Sequence, residues 1–241
     1  AGGGERYMMS IAEFLSENHE ADVFLDSHLE ALGKDSIKKR IESLHGLDLS
    51  RVNFLNAPFG DRGFILKRFI GRLFFLKNYD YLFYLSDGSI FFSTAKKNIL
   101  HIQAPIKNVN NDLWGKIKLS KWKLIIYNSK FTKEETEKSW KIRDMVSYPP
   151  VSVDKIKPLK KEKIILSVGR FFGYLKDKKH KLLIYSFAKF VKQNKDSGWS
   201  LHLAGGAGDG DKPYLDELTK LSKGMDIFLH PNISFNDLKK L

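Results

Sequence analysis

Short apolar runs recur along the chain at Asp22–Leu25, Val52–Leu55, Tyr81–Leu85, Ile99–Ile102, Lys123–Tyr127, Ile164–Val168, Leu201–Ala204 and Ile227–His230. Several are rich in Val, Ile, Phe or Tyr and close on Gly, Asn, Asp or Pro, which is the pattern of buried strands. Between many of them the apolar positions recur with helical spacing: Glu5–Asn18, Ser36–Leu44, Phe64–Lys77, Thr132–Trp140, Lys178–Gln193, Lys212–Leu221 and Phe235–Leu241. Strand and helix alternating in this way predict an α/β fold of parallel sheets covered by helices on both faces.

Tyr148-Pro149-Pro150 interrupts the alternation. Two prolines fix an extended chain and forbid a helix there, and a charged stretch leads on to Lys163. Residues 1–150 therefore read as one Rossmann-like domain, and 151–241 as a partial second one whose first strand is Ile164–Val168. Gly2-Gly3-Gly4 opens a helix with no strand ahead of it, and the second domain reaches only three strands. The expectation is a fragment truncated at both ends, with the C-terminal domain about half present. Ligands of open parallel sheets bind beyond the strands' C-terminal ends, so candidate chemistry is sought there.

Charge adds a constraint. Lys and Arg number 41 against 28 Asp and Glu, a net charge of +13. Such a surface suits phosphate groups, although a solvated Lys-rich surface explains the same number. The absence of cysteine excludes disulfides and thiolate chemistry and suits a reducing compartment. No apolar run approaches the roughly 20 residues needed to span a bilayer. Glu5, Glu13, Glu17 and Glu20 do not suit a signal peptide.

At the strand ends stand several candidates. Gly2 and Gly3 precede a helix whose first N–H groups suit an anion. Arg170 follows the Ile164–Val168 strand, and Lys178 comes shortly after, at the expected start of the next helix. Cations at one sheet edge can clamp a diphosphate, and lysines at a helix start oppose its dipole, which points to a task other than stability. Gly205 and Gly206 end the Leu201–Ala204 strand and permit close backbone approach. The string there matches neither G-x-G-x-x-G nor a P-loop. His101 lies near a strand end before Pro105, and Asp87 follows the Tyr81–Leu85 strand. By themselves, a structural histidine and a plain turn are the commoner explanations of these two. No H-E-x-x-H is present, and with no cysteine no metal site is expected. The Phe64–Lys77 helix is amphipathic and basic, a pattern shared by membrane-surface helices and by helices packed on a sheet.

Taken in order, these strings resemble those of the family 4 glycosyltransferases over nearly the whole chain. Gly2-Gly3-Gly4-Glu5-Arg6 is similar to that family's first-loop G-G-x-E-R, and Ile99–Pro105 to its His-containing strand ending in Pro. Tyr127–Thr132 is similar to its N-S-x-F-T turn and Tyr148–Val151 to its interdomain crossing. Val168-Gly169-Arg170-Phe171 with Lys178 resembles its G-R-x-x…K donor site, and Leu203–Gly206 its second glycine turn. The resemblance implies a GT-B fold of two Rossmann-like domains. It implies retaining transfer of a sugar from a nucleoside diphosphate sugar to a glycan or lipid-linked acceptor, with no cofactor and no metal.

Within that picture Arg170, Lys178, Gly2 and Gly3 hold the donor diphosphate, and His101 approaches the transferred sugar. Asp87, Gln103 and Asn128 contact sugar or acceptor, and Gly205 and Gly206 form the loop on the nucleotide side. The family's strand-end His often stands where this chain has Gln103. Its paired glutamates fall beyond Leu241, so little transfer is expected from these 241 residues alone. The implied setting is cytoplasmic, at the inner face of a membrane, with nucleotide sugar as partner and no nucleic acid. Two other readings remain: a non-catalytic nucleotide- or nucleic-acid-binding α/β protein, and an epimerase or phosphorylase sharing the fold.

Overall fold

The computed structural model describes residues 3–25, 27–56, 65–86, 89–107, 112–136, 140–151, 153, 156–174, 178–194 and 198–241. Gly2 and Asp87, expected at the site, lie outside them. Every strand pair among the described residues is parallel, the α/β Rossmann-like arrangement that the alternating pattern predicts. The chain divides into two compact units: an N-terminal unit of Tyr7–Lys38 and Leu49–Val151, and a C-terminal unit of Ser152–Leu241 together with Ala1–Arg6 and Lys39–Asp48.

The chain opens with helix α1 (Gly3–Ser16), strand β1 (Ala21–Leu25), a 3-10 turn at Ser27–Leu32, α2 (Lys34–His45) and β2 (Val52–Asn56). Next come α3 (Ile65–Leu76), β3 (Tyr81–Ser86), β4 (Lys97–Ile102), α4 (Leu113–Leu119), β5 (Trp122–Tyr127), α5 (Lys130–Glu135) and β6 (Asp144–Val146). In the N-terminal unit β1 pairs with β2, while β3-β4-β5-β6 form a separate four-stranded ladder. Leu76, Leu100, Ile102, Trp122 and Ile125 fill the core over that ladder, each nearly or wholly removed from water. Strands buried on both faces read as continuous apolar runs, which is why Ile99–Ile102 and Leu124–Tyr127 lack alternation.

Two elements of this unit escape the pattern. α4 is only seven residues long, and β6 is a three-residue edge strand, Asp144-Met145-Val146, with too little apolar content to register. The helix expected over Thr132–Trp140 begins earlier, at Lys130, and ends at Glu135. Its start is set by chemistry rather than periodicity. The Ser129 hydroxyl caps it by accepting from Thr132 N at 3.1 Å, and the buried Thr132 hydroxyl donates to Asn128 Oδ1 at 2.6 Å. An N-cap serine replaced by alanine costs about 1 kcal/mol, so Ser129→Ala is expected to lower thermal stability by that amount, read by calorimetry, while Ser129→Asp is close to neutral.

In the C-terminal unit β7 (Ile164–Val168) is followed by α6 (His180–Gln193), β8 (Ser200–Gly205), a 3-10 turn at Asp209–Asp211, α7 (Lys212–Leu221), β9 (Ile227–Pro231) and α8 (Phe235–Leu238). The sheet order is β7-β8-β9. Leu201, Leu203 and Ile227 meet Ile184 and Phe187 of α6 and Tyr214 and Leu218 of α7 in one core. Ile165, Leu166 and Val168 of β7 and Phe228 of β9 stay exposed. Helical periodicity is expected to begin at Lys178, but α6 starts at His180. Lys179 adopts a left-handed conformation (φ 54°) ahead of it, leaving Lys178 in the preceding turn.

Candidate functional site

The C-terminal edge of the β7-β8-β9 sheet is held together by backbone approach of unusual closeness. Gly169 N donates to Ala204 O at 2.8 Å and Phe171 N to Gly206 O at 2.8 Å, so the parallel ladder runs on past both strands. Asn232 N donates to Gly205 O at 2.7 Å and ties in the turn after β9. A Cβ at Gly205 would stand 2.0 Å from Gly169 O. Glycine here is a packing requirement of two crossing chains.

The loops above that edge are clipped by one carboxylate. Asp211 Oδ1 accepts from Gly173 N at 3.0 Å and Oδ2 from Gly208 N at 2.8 Å. Ala207 N donates to Asn232 Oδ1 at 3.0 Å. The N–H groups of Gly169, Phe171, Gly173, Ala207 and Gly208 are therefore directed at protein acceptors. A phosphate arriving here is met chiefly by side chains, in contrast to a loop that cradles it with backbone N–H groups.

Those side chains are cationic. The Lys178 stem crosses Gly169 so closely that a Cβ on that glycine would lie 2.9 Å from Lys178 Cγ. Arg170 is the next residue, and its guanidinium sits 5.0 Å from the centre of the Phe172 ring. Lys178 is exposed and Arg170 half-buried. The two cations that the sequence singles out thus share one sheet edge, with a glycine between the stem of one and the backbone of the other. Beneath them His180 is buried, stacked on Phe171 at 4.8 Å between centroids, with its Nδ1 3.4 Å from the Tyr214 hydroxyl.

No protein-family model and no curated protein matches the chain. What its site can do rests on its own geometry.

Beside the glycine turn lies a hollow of about 470 Å³ lined by Arg40, Gly208, Asp209, Lys212 and Asn232 among others. Arg40 Nη2 donates to Ala207 O at 2.9 Å. Arg40 belongs to the stretch of α2 grouped with this unit. No sequence signal beyond its charge marks it, because its neighbours here lie more than 150 residues on in the chain.

At the C-terminal edge of the N-terminal unit's sheet stand His101, Gln103 and Asn128. Asn128 Nδ2 donates to Gln103 O at 2.8 Å and Asn128 N to Ile102 O at 3.2 Å. The structure thus brings Asn128 and Gln103 together, but as a brace between the ends of β4 and β5. The N-S-x-F-T string is accounted for by this brace and the cap on α5. Gly3 differs from Gly205, since a Cβ on it would meet nothing within 4 Å.

His101 is wholly buried. Its ring lies 4.4 Å from that of Tyr7 and 5.8 Å from that of Phe83. Among the described residues neither ring nitrogen has a hydrogen-bond partner. Burial holds the imidazole neutral and depresses its pKa from 6.5 to about 4. The unfolded chain takes up a proton on this group below pH 6.5, and the folded chain resists doing so until about pH 4. The neutral group favours folding above the unfolded value, and this is lost as pH falls through that window, by about 3 kcal/mol in total. Urea melts at stepped pH should show this loss, and in His101→Phe the step should vanish while stability at pH 7 holds or rises.

Proposed function

We propose that the chain carries the donor-binding framework of a retaining glycosyltransferase that uses a nucleoside diphosphate sugar. The observation that carries this reading is the placement of Lys178 across Gly169, beside Arg170, at the C-terminal edge of a parallel sheet. A diphosphate lying there would be met by a planar guanidinium able to take two oxygens and by the Lys178 ammonium. When the sugar leaves, the diphosphate gains negative charge, and fixed cations at that edge lower the barrier without a metal. Asp211 holds the loops after β7 and β8 in one arrangement, so the cations need little reorganisation as charge develops.

An acceptor carried on a glycan or lipid fits the exposed Phe69, Ile70 and Phe74 of α3, an apolar strip able to lie on a membrane surface. Among the described residues no helix is long and apolar enough to cross a membrane. A cytoplasmic enzyme touching the inner face of a membrane is part of the same proposal.

Calorimetric titration with UDP, GDP and ADP tests the reading. One of the three is expected to bind saturably, to be displaced by its own sugar conjugate, and to weaken only modestly between 50 and 200 mM salt. The rival, a nucleic-acid-binding protein, predicts instead that an oligonucleotide binds and loses about 10³-fold or more in affinity over the same range if it engages six or more phosphates. Binding of the oligonucleotide with no response to any nucleoside diphosphate would overturn the proposal.

A further inference from the structure

Among the described residues two non-glycine residues have a left-handed backbone, Lys179 (φ 54°) and Asn232 (φ 56°). Both stand at the C-terminal edge of the β7-β8-β9 sheet. Asparagine tolerates this region, and the Asn232 side chain is engaged there, accepting from Ala207 N at 3.0 Å. Lys179 differs on both counts. Its Cβ crowds the backbone in this region, and lysine has no short polar side chain to offset that. It also stands directly ahead of α6, where an extended backbone and a capping oxygen are the rule, and an ammonium has no acceptor with which to cap. The residue is exposed, so burial of its side chain does not account for the conformation either. Strain of this kind persists only where the surrounding structure over-determines it.

The residues on either side of Lys179 do this. After it, His180 is buried, its ring stacked on Phe171 with 4.8 Å between centroids and 23° between planes. His180 opens α6, whose Ile184 and Phe187 are fixed in the core, and Leu183 N donates to Lys179 O at 3.1 Å. Before it, the Lys178 stem crosses Gly169: Cβ, Cγ and Cδ all come within 3.4 Å of where a Cβ on that glycine would stand. Gly169 and Phe171 are the two neighbours of Arg170 in the chain. Each flank of Lys179 is thus anchored to a residue adjoining Arg170, and the left-handed turn is the bend that lets both anchors hold at once. We infer that Lys179 is a positioning residue, whose backbone turns Lys178 across Gly169 toward Arg170 and so fixes the pair of cations at the sheet edge. The functional meaning of that pair rests on the diphosphate reading given above; the geometry does not. An ordinary helical φ near −63° at Lys179 would swing Lys178 by about 120° about the Lys179 N–Cα bond relative to α6, and carry its stem off Gly169. At position 179, backbone conformation therefore matters and charge does not.

The test compares Lys179→Asn and Lys179→Val in the 241-residue chain. Both remove the charge, but asparagine accepts the left-handed region and a β-branched residue resists it. The residue is exposed, so neither change disturbs the core. Two quantities are read on each: the nuclear Overhauser contact between the Lys178 γ-protons and the Gly169 α-protons, and the calorimetric affinity for whichever of UDP, GDP and ADP the unaltered chain binds. Lys179→Asn should keep the contact, hold affinity within about twofold, and raise the melting temperature by about 2–4 °C as the strain is relieved. Lys179→Val should lose the contact and weaken binding by about fivefold or more, as Lys178→Ala does. Adding Lys178→Ala to Lys179→Val should then weaken binding by less than about twofold further, because the lysine no longer reaches the ligand. Equal loss of affinity in Lys179→Asn and Lys179→Val would make Lys179 a third cation and overturn the inference. Survival of both contact and affinity in Lys179→Val would overturn it as well. A contact that follows the backbone as expected, in a chain that binds none of the three diphosphates, would uphold the positioning role and defeat the diphosphate reading alone.

Discussion

Alanine in place of Gly205 is expected to destabilise the C-terminal unit severely. The new Cβ would stand 2.0 Å from Gly169 O, 2.6 Å from Gly169 C and 3.2 Å from Arg170 N. These are backbone atoms, held by the ladder between β7 and β8, so no rotamer change relieves the clash. The sheet edge must open, breaking the bonds from Gly169 N to Ala204 O and from Phe171 N to Gly206 O. A loss of about 3 kcal/mol or more follows, enough to lower the melting temperature by about 10 °C in a chain of this size. Trp199, packed against the same core, reports the unit's unfolding by its fluorescence. Gly208→Ala is the control: it has φ −97°, and its nearest neighbour would be Asp211 Oδ2 at 3.5 Å, an ordinary contact. A Gly205→Ala chain that melts with Gly208→Ala would contradict the close approach.

Arg170→Ala should remove most of the affinity for whichever nucleoside diphosphate the chain binds, with little change in stability. Charge-assisted bonds to an anion are worth about 1.5–3 kcal/mol, so the dissociation constant should rise about 10- to 100-fold. Arg170→Lys should recover only part of this. An ammonium cannot take two oxygens in one plane, and it stacks less well on Phe172, over which the guanidinium lies at 5.0 Å. Lys178→Ala should weaken binding too, by less, since an ammonium on an exposed side chain engages one oxygen rather than two. Gly169→Ala offers an independent route to the same answer. Its Cβ would displace the Lys178 stem, a side chain able to move, so it should weaken binding while leaving the fold intact. Equal affinity in wild type and Arg170→Ala would remove the diphosphate from this edge.

Much of the architecture was legible along the chain because most of its strands are dense in apolar residues, β4 and β5 being largely buried. Their apolar runs are dense and bounded by turn residues, so eight of the nine strands among the described residues announce themselves. The ninth, β6, does not, since an edge strand of three residues needs little apolar content. The start of α6 shows the same limit from the other side. Periodicity carries Lys178 into the helix, while the left-handed Lys179 breaks it off before His180.

The candidate site divides along a similar line. That Arg170 and Lys178 follow a strand, and that glycines follow the next one, was determined by the order of residues alone, because α/β connections bring successive strand ends to one edge. What those residues do there was decided by tertiary contact. Gly205 proves to be the point where the turn after β7 passes within bonding range, and Asn128 a brace between strand ends. His101, with the spacing of a site residue, is sealed beneath Tyr7. That β1 pairs with β2 and β3 with β4 belongs wholly to the tertiary level, since a one-dimensional pattern reports which strands exist and not which of them pair. Local periodicity follows from neighbours a few residues apart; closeness of approach and burial depend on residues tens to hundreds of positions away, and no window along the chain contains both partners.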